Sequence, residues 1–423
     1  MLFRKLLPAL GLLPALLGGA AQGATAPAAI RIGTLYASSG PFAAISMPVF
    51  DSLTLWVDLV NAQGGVYVKA FNKKIPVKLI AYDDQSSTAT AATLYNQLIS
   101  QDHVNLLVAD SGSVLTSVAV PIAKEHKMFL LDVSGTGGTF FTKDNPYIAL
   151  LAGPVSTIWP KYVADYLSDV AARQGVKTLA ILYSTNDFTG TQAKALRGFI
   201  QQAGKVKIVY YQGVPTSTSN YTVLINNIAA LKPDAVVELG YPGNDIAFLR
   251  NLQDSGEKFR FLFSIYAGEE FDLLRKNVGA DGMKWAFTYV PASNYAYKVN
   301  YGMDLAQYKA AWYKKYPKGS KVEFGTNAVY GYQTGLVIQR ALATATGLGQ
   351  MQIRDAVFAL SGKLKTLDGP FKLDSEGAQI GVITPVGQIQ PDGKTVKIVA
   401  VYPPRFANGK AVLGNSGTAV QGR

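Results

Sequence analysis

The sequence predicts an α/β protein with two doubly wound lobes, each built on a parallel sheet that helices cover on both faces. Apolar strand-like runs alternate with amphipathic helical segments, and the alternation restarts near the middle of the chain. The chain has 423 residues, which is more than one core usually supports. With 48% hydrophobic and 16% charged residues, its composition is that of a folded globular protein.

The first series of elements extends from residue 30 to residue 133. Its helices carry apolar residues at helical spacing, as Val49, Leu53, Trp56 and Val60 do in the first helix. The predicted strands are 30–35, 77–82, 104–109 and 128–133, and the predicted helices are 49–60, 88–99 and 114–126.

The second series repeats this pattern after residue 158. Its predicted helices are 159–174, 191–203, 221–231 and 245–254, and its predicted strands are 178–183, 206–212, 235–239 and 261–264. In open parallel sheets, ligands bind beyond the carboxyl ends of the strands. The loops that follow these strands are therefore where a site is expected.

Residues 1–23 have the layout of a secretory signal peptide. A basic start (Arg4, Lys5) precedes an apolar stretch over 6–17 and small residues up to Gly23. The apolar stretch is too short for a stable membrane span, and no later stretch approaches the roughly 20 apolar residues required. We expect cleavage after Gly23 and a mature protein outside the cytoplasm that does not insert into the membrane.

The composition excludes several kinds of site. The chain has no Cys, so disulfides, thiolate metal sites and Cys nucleophiles are excluded. Neither His103 nor His126 lies in a catalytic or metal-binding motif. The net charge of +12 comes from scattered Lys and Arg, which favours a basic solvated surface over nucleic-acid binding. We expect no catalytic residue, no metal, no cofactor and no nucleic-acid partner.

Two loops of the first series combine hydroxyl groups with glycines. The segment 110–113 opens a helix, whose free N–H groups and dipole favour an anion. Ser113 there either donates to a ligand or only caps the helix. The segment 134–139 (Ser-Gly-Thr-Gly-Gly-Thr) either approaches a ligand closely or is a flexible loop, and it matches no nucleotide-binding fingerprint.

Three loops of the second series place an aromatic residue at the carboxyl end of a strand. These residues are Phe188, Tyr241 and Tyr266. An aromatic side chain in this position can wall a pocket, stack on a ring or, for tyrosine, donate a hydrogen bond.

The order and spacing of these segments resemble the periplasmic solute-binding proteins of the leucine/isoleucine/valine-binding family, which have the type I fold. The resemblance covers about residues 30–404. It rests on Ile32-Gly33, Ser39-Gly40-Pro41, residues 60–65, Tyr82-Asp83-Asp84, the two hydroxyl-bearing loops, residues 187–190, Gly240-Tyr241 and residues 367–371.

The resemblance implies a binding site between the lobes. Ser113 and Thr136 would bind a ligand carboxylate with help from backbone groups at Ser134 and Gly135, while Phe188, Tyr241 and Tyr266 would close over the rest. Amino-acid binders of the family also carry an acidic residue for the ligand ammonium on the second lobe. Here residues 265–267 contain none and Glu269 is displaced, so an aromatic or aliphatic acid without an amine fits better. A branched-chain amino-acid-like ligand remains open.

The resemblance also implies a domain organisation and a role. One lobe would comprise residues 27–151 and 291–378 and the other 152–290 and 379–406, joined by a three-strand hinge, with a flexible tail over 407–423. The expected role is that of a monomeric periplasmic receptor that closes on its ligand and delivers it to an inner-membrane ABC permease. The alternatives are a ligand-sensing subunit of a signalling receptor and an exported enzyme on the same fold.

Overall fold

A computed structural model describes residues 25–320 and 322–414. The strands are β1 (Ile30–Tyr36), β2 (Val66–Val68), β3 (Lys73–Ile75), β4 (Val77–Asp83), β5 (Leu106–Val108), β6 (Leu130–Asp132), β7 (Ile148–Leu150), β8 (Thr178–Ser184), β9 (Lys207–Val214), β10 (Ala235–Leu239), β11 (Phe261–Ser264), β12 (Phe287–Tyr289), β13 (Lys365–Thr366), β14 (Gly369–Pro370), β15 (Val386–Asp392) and β16 (Thr395–Tyr402). The signal peptide expected over 1–23 lies outside the described residues.

Helices follow most of the strands. They are α1 (Ala43–Asn61), α2 (Thr88–Ser100), α3 (Ser113–Glu125), α4 (Lys161–Asp165), α5 (Asp187–Ala203), α6 (Thr222–Ala230), α7 (Pro242–Ser255), α8 (Tyr266–Glu269), α9 (Phe271–Met283), α10 (Leu305–Lys315), α11 (Thr326–Leu342) and α12 (Gln350–Phe358). The helix predicted over 159–174 is α4 continued by a π-helical segment and a 3₁₀ turn up to Gln174.

The first large sheet is parallel throughout, with the strand order β4-β1-β5-β6-β7. Strands β5, β6 and β7 are buried along their whole length. Burial on both faces explains why these segments are continuous apolar runs in the sequence rather than alternating ones. The predicted parallel α/β architecture is confirmed for this part of the chain.

The second large sheet is also mainly parallel, as predicted, and it carries an antiparallel hairpin at one edge. Its order is β16-β15-β12-β11-β10-β8-β9, and the strands from β9 to β12 are parallel. Strands β15 and β16 add an antiparallel hairpin at one edge. The hairpin turns through Gly393-Lys394, between the paired residues Asp392 and Thr395, and Gly393 has φ +60°, which glycine adopts without strain.

The chain passes between the two sheets three times. It leaves the first sheet after β7, returns after β12 to form α10, α11 and α12, and crosses again to reach β15. Two of the crossing segments pair with each other, since Val155 N–H donates to Gln379 C=O at 2.9 Å. Connections of this kind allow two lobes to move relative to each other about a short shared segment.

Helix α1 is the one described helix long and apolar enough to span a membrane, with a mean hydropathy of 1.4 over its best window. The sequence analysis did not anticipate this. The helix contains Pro48, and ten of its residues are buried, including Leu53 and Trp56. It packs against α11 and the first sheet, so it is a helix of the protein core.

The pairing of α1 with α11 requires glycine at two positions one turn apart. A Cβ at Gly331 would lie 2.4 Å from the Val49 carbonyl oxygen, and one at Gly335 would lie 2.3 Å from the Trp56 ring. We predict that Gly335→Ala lowers the free energy of unfolding by about 2 kcal/mol, because the helices must separate to admit the methyl group. Chemical denaturation would measure this loss.

Gly198→Ala in α5 is the matched control, because nothing lies within 4 Å of the added methyl group. Alanine has the higher helix propensity, so this variant should be neutral or more stable by up to about 1 kcal/mol. Equal destabilisation by the two substitutions would contradict the packing argument.

The first residues of the expected tail, 408–412, form hydrogen bonds with the second sheet. Asn408 N–H donates to Ala400 C=O at 2.9 Å, and Val412 N–H donates to the Gln388 side chain at 2.9 Å. The amide of Gln388 in turn donates to Val412 C=O at 2.7 Å. Residues 408–412 are therefore held against the edge hairpin of the second sheet, and residues 415–423 lie outside the described part.

Candidate functional site

A cavity lies between the two sheets, beyond the carboxyl ends of their strands. The centre of a water-sized sphere can reach only about 30 Å³ of it. Residues from both lobes line it: Ile45, Ser111, Gly112, Ser113, Ser134, Thr136, Trp159, Phe188, Tyr241, Ile265, Tyr266, Glu269, Thr326, Asn327 and Tyr330. Six of the seven residues predicted for the site are among them.

Ser113 is the first residue of α3 at one end of the cavity. The chain turns into this helix through Gly112, which has φ +85° and occupies the N-cap position. Ser113 is therefore not a capping residue, and its buried hydroxyl accepts a hydrogen bond from Gly137 N–H at 3.0 Å. A hydroxyl that accepts in this way keeps its own proton for donation to a ligand oxygen.

Ser134 and Thr136 place two more hydroxyl groups beside the start of α3. Ser134 Oγ accepts from Gly112 N–H at 3.2 Å and shares a hydrogen bond of 2.9 Å with the Ser111 hydroxyl. Thr136 Oγ1 shares one of 2.8 Å with the Ser156 hydroxyl. These bonds connect the loop after β6 to the start of α3 and to the segment after β7. Hydroxyl donors and a helix N-terminus together suit an anionic group.

Gly135 does not reach the cavity, unlike the other residues predicted with it. Its N–H donates to Asp132 Oδ1 at 2.7 Å and so is not free for a ligand. A Cβ at this position would lie 2.4 Å from Thr116 Oγ1. Gly135 therefore allows the loop to pack closely against α3, which positions Ser134 and Thr136.

Aromatic rings of the second lobe form the opposite wall. The ring of Phe188 lies 5.5 Å from that of Tyr241 and 6.5 Å from that of Tyr266, and the two tyrosine rings stack at 6.2 Å. Trp159 meets Phe188 edge-on at 5.3 Å. Phe188 is held in place because Asn186, the N-cap of α5, accepts its N–H at 3.0 Å.

Tyr241 crosses from the second lobe to the first. Its ring lies 5.1 Å from that of Phe42, and its hydroxyl lies near the first amides of α3 without a well-formed hydrogen bond. Burial raises the pKa of Tyr241 above its ordinary value. The hydroxyl thus stays protonated at neutral pH and is free to donate.

Glu269 supplies a carboxyl group to the cavity, at the end of α8. It is 7% exposed, and its Oε2 atom has no hydrogen-bond partner among the described residues. Burial raises the pKa of Glu269 to about 7, against the effect of the neighbouring Thr326 hydroxyl. The sequence analysis treated this residue as displaced from the site, and the structure brings it in because α8 forms one helical turn from Tyr266.

The lobes are in contact on both sides of the cavity. Thr139 of the first lobe donates to Asp187 at the start of α5 at 2.7 Å. Asn327 of α11 donates to Glu270 of the second lobe at 2.8 Å. With so little free volume between them, the lobes or the aromatic rings must move apart before an organic molecule can enter.

Several lining residues were missed by sequence reasoning. Trp159 lies in a crossing segment, and Thr326, Asn327 and Tyr330 belong to α11, more than 150 residues further along the chain. Nothing local marks them as site residues, because the fold alone brings them to the cavity. Glu269 was noticed, and its helical spacing from Tyr266 was the signal that could have placed it.

Comparisons with known proteins give consistent matches over most of the chain. A family model described as "Periplasmic binding protein" matches residues 29–397. Leu/Ile/Val-binding protein homolog 7 of Brucella suis is 26% identical over 399 residues, which is 92% of this chain and 94% of that protein.

Two solved structures share the fold at low sequence identity. One is the branched-chain amino acid transporter substrate-binding protein LivJ of Streptococcus pneumoniae in complex with isoleucine. It has a TM-score of 0.70 and 19% identity, and the match covers 88% of this chain and 100% of that one. The other is an ABC-transporter solute-binding protein from R. palustris in complex with benzoate. It has a TM-score of 0.67 and 16% identity, and the match covers 88% of this chain and 96% of that one.

Proposed function

The chain belongs to the periplasmic binding protein family, and from that premise we propose that it is the extracytoplasmic receptor of an ABC importer for a small carboxylate-bearing solute. Members of the family bind solutes for transporters, and the chain is a binding protein rather than an enzyme. The proposal places the mature protein in the periplasm after cleavage at Gly23, with the permease as its partner.

One observation carries the choice of a carboxylate. The hydroxyl groups of Ser113, Ser134 and Thr136 surround the N-terminus of α3 on the wall of a cavity that both lobes enclose. No Lys or Arg of the described residues lines this cavity, so an anion there would be held by neutral donors and the helix dipole. Aromatic rings face these donors, which favours an aliphatic or aromatic body on the ligand.

Titration calorimetry on the mature chain, unfolded and refolded to remove carried-over solute, tests this proposal. The probes are benzoate, isovalerate and isoleucine, since solved proteins of the same fold hold benzoate or isoleucine. We expect saturable binding of at least one probe at one site per chain. If none of the three binds at millimolar concentration, the carboxylate proposal fails.

Glu269 supports a second candidate ligand, a branched-chain amino-acid-like molecule. Its unpartnered Oε2 atom lies in the same cavity as the anion-binding end, and an ammonium group would give it a countercharge. A ligand ammonium beside Glu269 would also lower the pKa of that carboxyl group, so binding should release a proton near pH 7.

Glu269→Gln distinguishes the two candidate ligands. If isoleucine is the better ligand, the variant should bind it about tenfold or more weakly, because a charge-assisted hydrogen bond is lost. Binding of isovalerate, which lacks the amine, should be unchanged or tighter. Calorimetry with both compounds measures the two effects.

Glu270→Gln is the matched control at the adjacent position. Burial raises the pKa of Glu270 to about 8, so a neutral amide resembles its state at pH 7 and keeps an acceptor for Asn327. An equal loss of isoleucine binding in both variants would contradict a specific role for Glu269.

A ligand-sensing role would use the same residues as transport. Permease and ATPase genes beside the gene for this protein would support transport over sensing.

A further inference from the structure

A pair of buried carboxyl groups lies behind the aromatic wall of the second lobe. Glu238 projects from β10 and Asp245 from the first turn of α7, and they are 1% and 0% exposed. Neither residue lines the cavity. Two acids this deep in the protein are costly to bury, so their contacts need a physical account.

Asp245 connects the two loops that carry Tyr241 and Tyr266. Its own N–H donates to Tyr241 C=O at 3.0 Å, which fixes the start of α7. Its Oδ2 atom accepts the Tyr266 N–H at 2.7 Å and also the Ser264 hydroxyl. The side chain therefore ties Tyr266 to the first turn of α7, of which Tyr241 is the N-cap, and the turn it holds leads directly into Glu269.

The carboxyl group of Glu238 lies next to that of Asp245. A Cβ at Gly240 would lie 2.6 Å from Glu238 Oε1 and 3.0 Å from Asp245 Oδ1, so both carboxyl groups converge on this glycine. Among the described residues, no Lys or Arg contributes to the pKa shift of either carboxyl group. Burial raises the pKa of both groups, well above the ordinary range for Glu238 and to about 6 for Asp245. Since two adjacent buried carboxyl groups do not both ionise, the pair carries at most one negative charge.

We propose that Asp245 is the positioning residue for the ligand-facing surface of the second lobe. It touches no ligand itself and acts through the backbone of Tyr266 and the start of α7. Its effect on affinity rests on the proposed binding function, whereas its effect on the Tyr266 turn does not depend on any ligand.

Hydrogen exchange of the mature chain tests this role in Asp245→Asn and Asp245→Ala. The matched control is Asp234→Ala, because Asp234 accepts the N–H groups of Lys177 and Thr178 at the opposite end of the same sheet. We expect the Tyr266 amide to exchange about tenfold faster in the Asn variant and faster still in the Ala variant. Asp234→Ala should accelerate exchange only around residues 177 and 178.

Calorimetry with isoleucine and benzoate is the second readout. A probe that binds the parent chain should bind Asp245→Ala about tenfold or more weakly, a loss of about 1.4 kcal/mol or more. Its affinity for Asp234→Ala should stay within about twofold of its affinity for the parent chain. The proposal is overturned if Tyr266 exchange is unchanged in both Asp245 variants, or if Asp234→Ala weakens binding equally. If the parent chain binds none of benzoate, isovalerate and isoleucine, the proposed function fails and the exchange result alone decides the positioning role. Should the Ala variant not fold, the Asn variant gives the same decision.

Discussion

Replacing Ser113 by Ala and Thr136 by Val in one chain should weaken benzoate or isovalerate binding by about 100-fold or more. Each hydroxyl offers a hydrogen bond to a charged oxygen, worth about 1.5–3 kcal/mol, and tenfold in affinity is about 1.4 kcal/mol. The fold should survive, since both side chains lie at the cavity wall and the replacements keep their volume approximately. Titration calorimetry measures the loss, and circular dichroism checks the fold.

Ser117→Ala is the control for this double substitution. Ser117 lies one turn further along α3, and its hydroxyl donates to Val114 C=O within the helix at 2.7 Å. Affinity in this variant should stay within about twofold of the parent chain. If the double variant also stays within twofold, the ligand carboxylate is not held at the start of α3.

The protein should be most stable at mildly acidic pH and lose stability between pH 5 and pH 8. Burial raises the pKa of several carboxyl groups that have no basic partner, namely Asp84 and Asp245 to about 6, Asp132, Glu269 and Asp368 to about 7, and Glu270 to about 8. A carboxyl group whose pKa is raised by folding stabilises the native state while it is protonated. This contribution is complete below the unfolded pKa near 4 and is lost as the pH rises through the folded pKa.

The loss of stability with rising pH is large because several carboxyl groups act in the same direction. A rise from 3.8 to about 7, as for Asp132, corresponds to about 4 kcal/mol. Using an unfolding entropy of about 2.1 cal/mol/K per residue, this shifts the melting temperature by about 5 °C for a chain of this length. Thermal unfolding from pH 4.5 to 8.5 would measure this shift. Asp132→Asn should make the melting temperature depend less steeply on pH. A melting temperature that rises from pH 5 to pH 8 would contradict the account.

The sequence predicted the strands and helices of the two series well, because their apolar periodicity is strong. It predicted β10 and β11 with the bounds that the structure shows and placed α1 six residues late. Strands β7 and β12 were not predicted, whereas β5 and β6, which are equally short, lie within the predicted apolar runs 104–109 and 128–133. The resemblance to the leucine/isoleucine/valine-binding family is confirmed by the family model and the curated relatives.

The candidate site could be predicted as far as it follows strand ends. Ser113, Ser134 and Thr136 follow β5 and β6, and the three aromatic residues follow β8, β10 and β11, so the sheet topology alone brings them together. Gly135 was assigned to the site although its N–H is used by Asp132, which only the three-dimensional packing shows. Tyr330 and Trp159 reach the cavity through a distant helix and a crossing segment, and no local pattern marks such residues.

Carboxylate binding at Ser113 and Thr136 is tested most directly by comparing acids with their neutral amides. Thermal unfolding of the refolded mature chain would be followed with benzoate against benzamide and with isovalerate against isovaleramide, since a ligand that binds the native state raises the melting temperature. We expect at least one acid to raise the melting temperature by several degrees, while its amide at equal concentration does not. Equal shifts by acid and amide, or no shift with any acid, would contradict a carboxylate-binding site at Ser113 and Thr136.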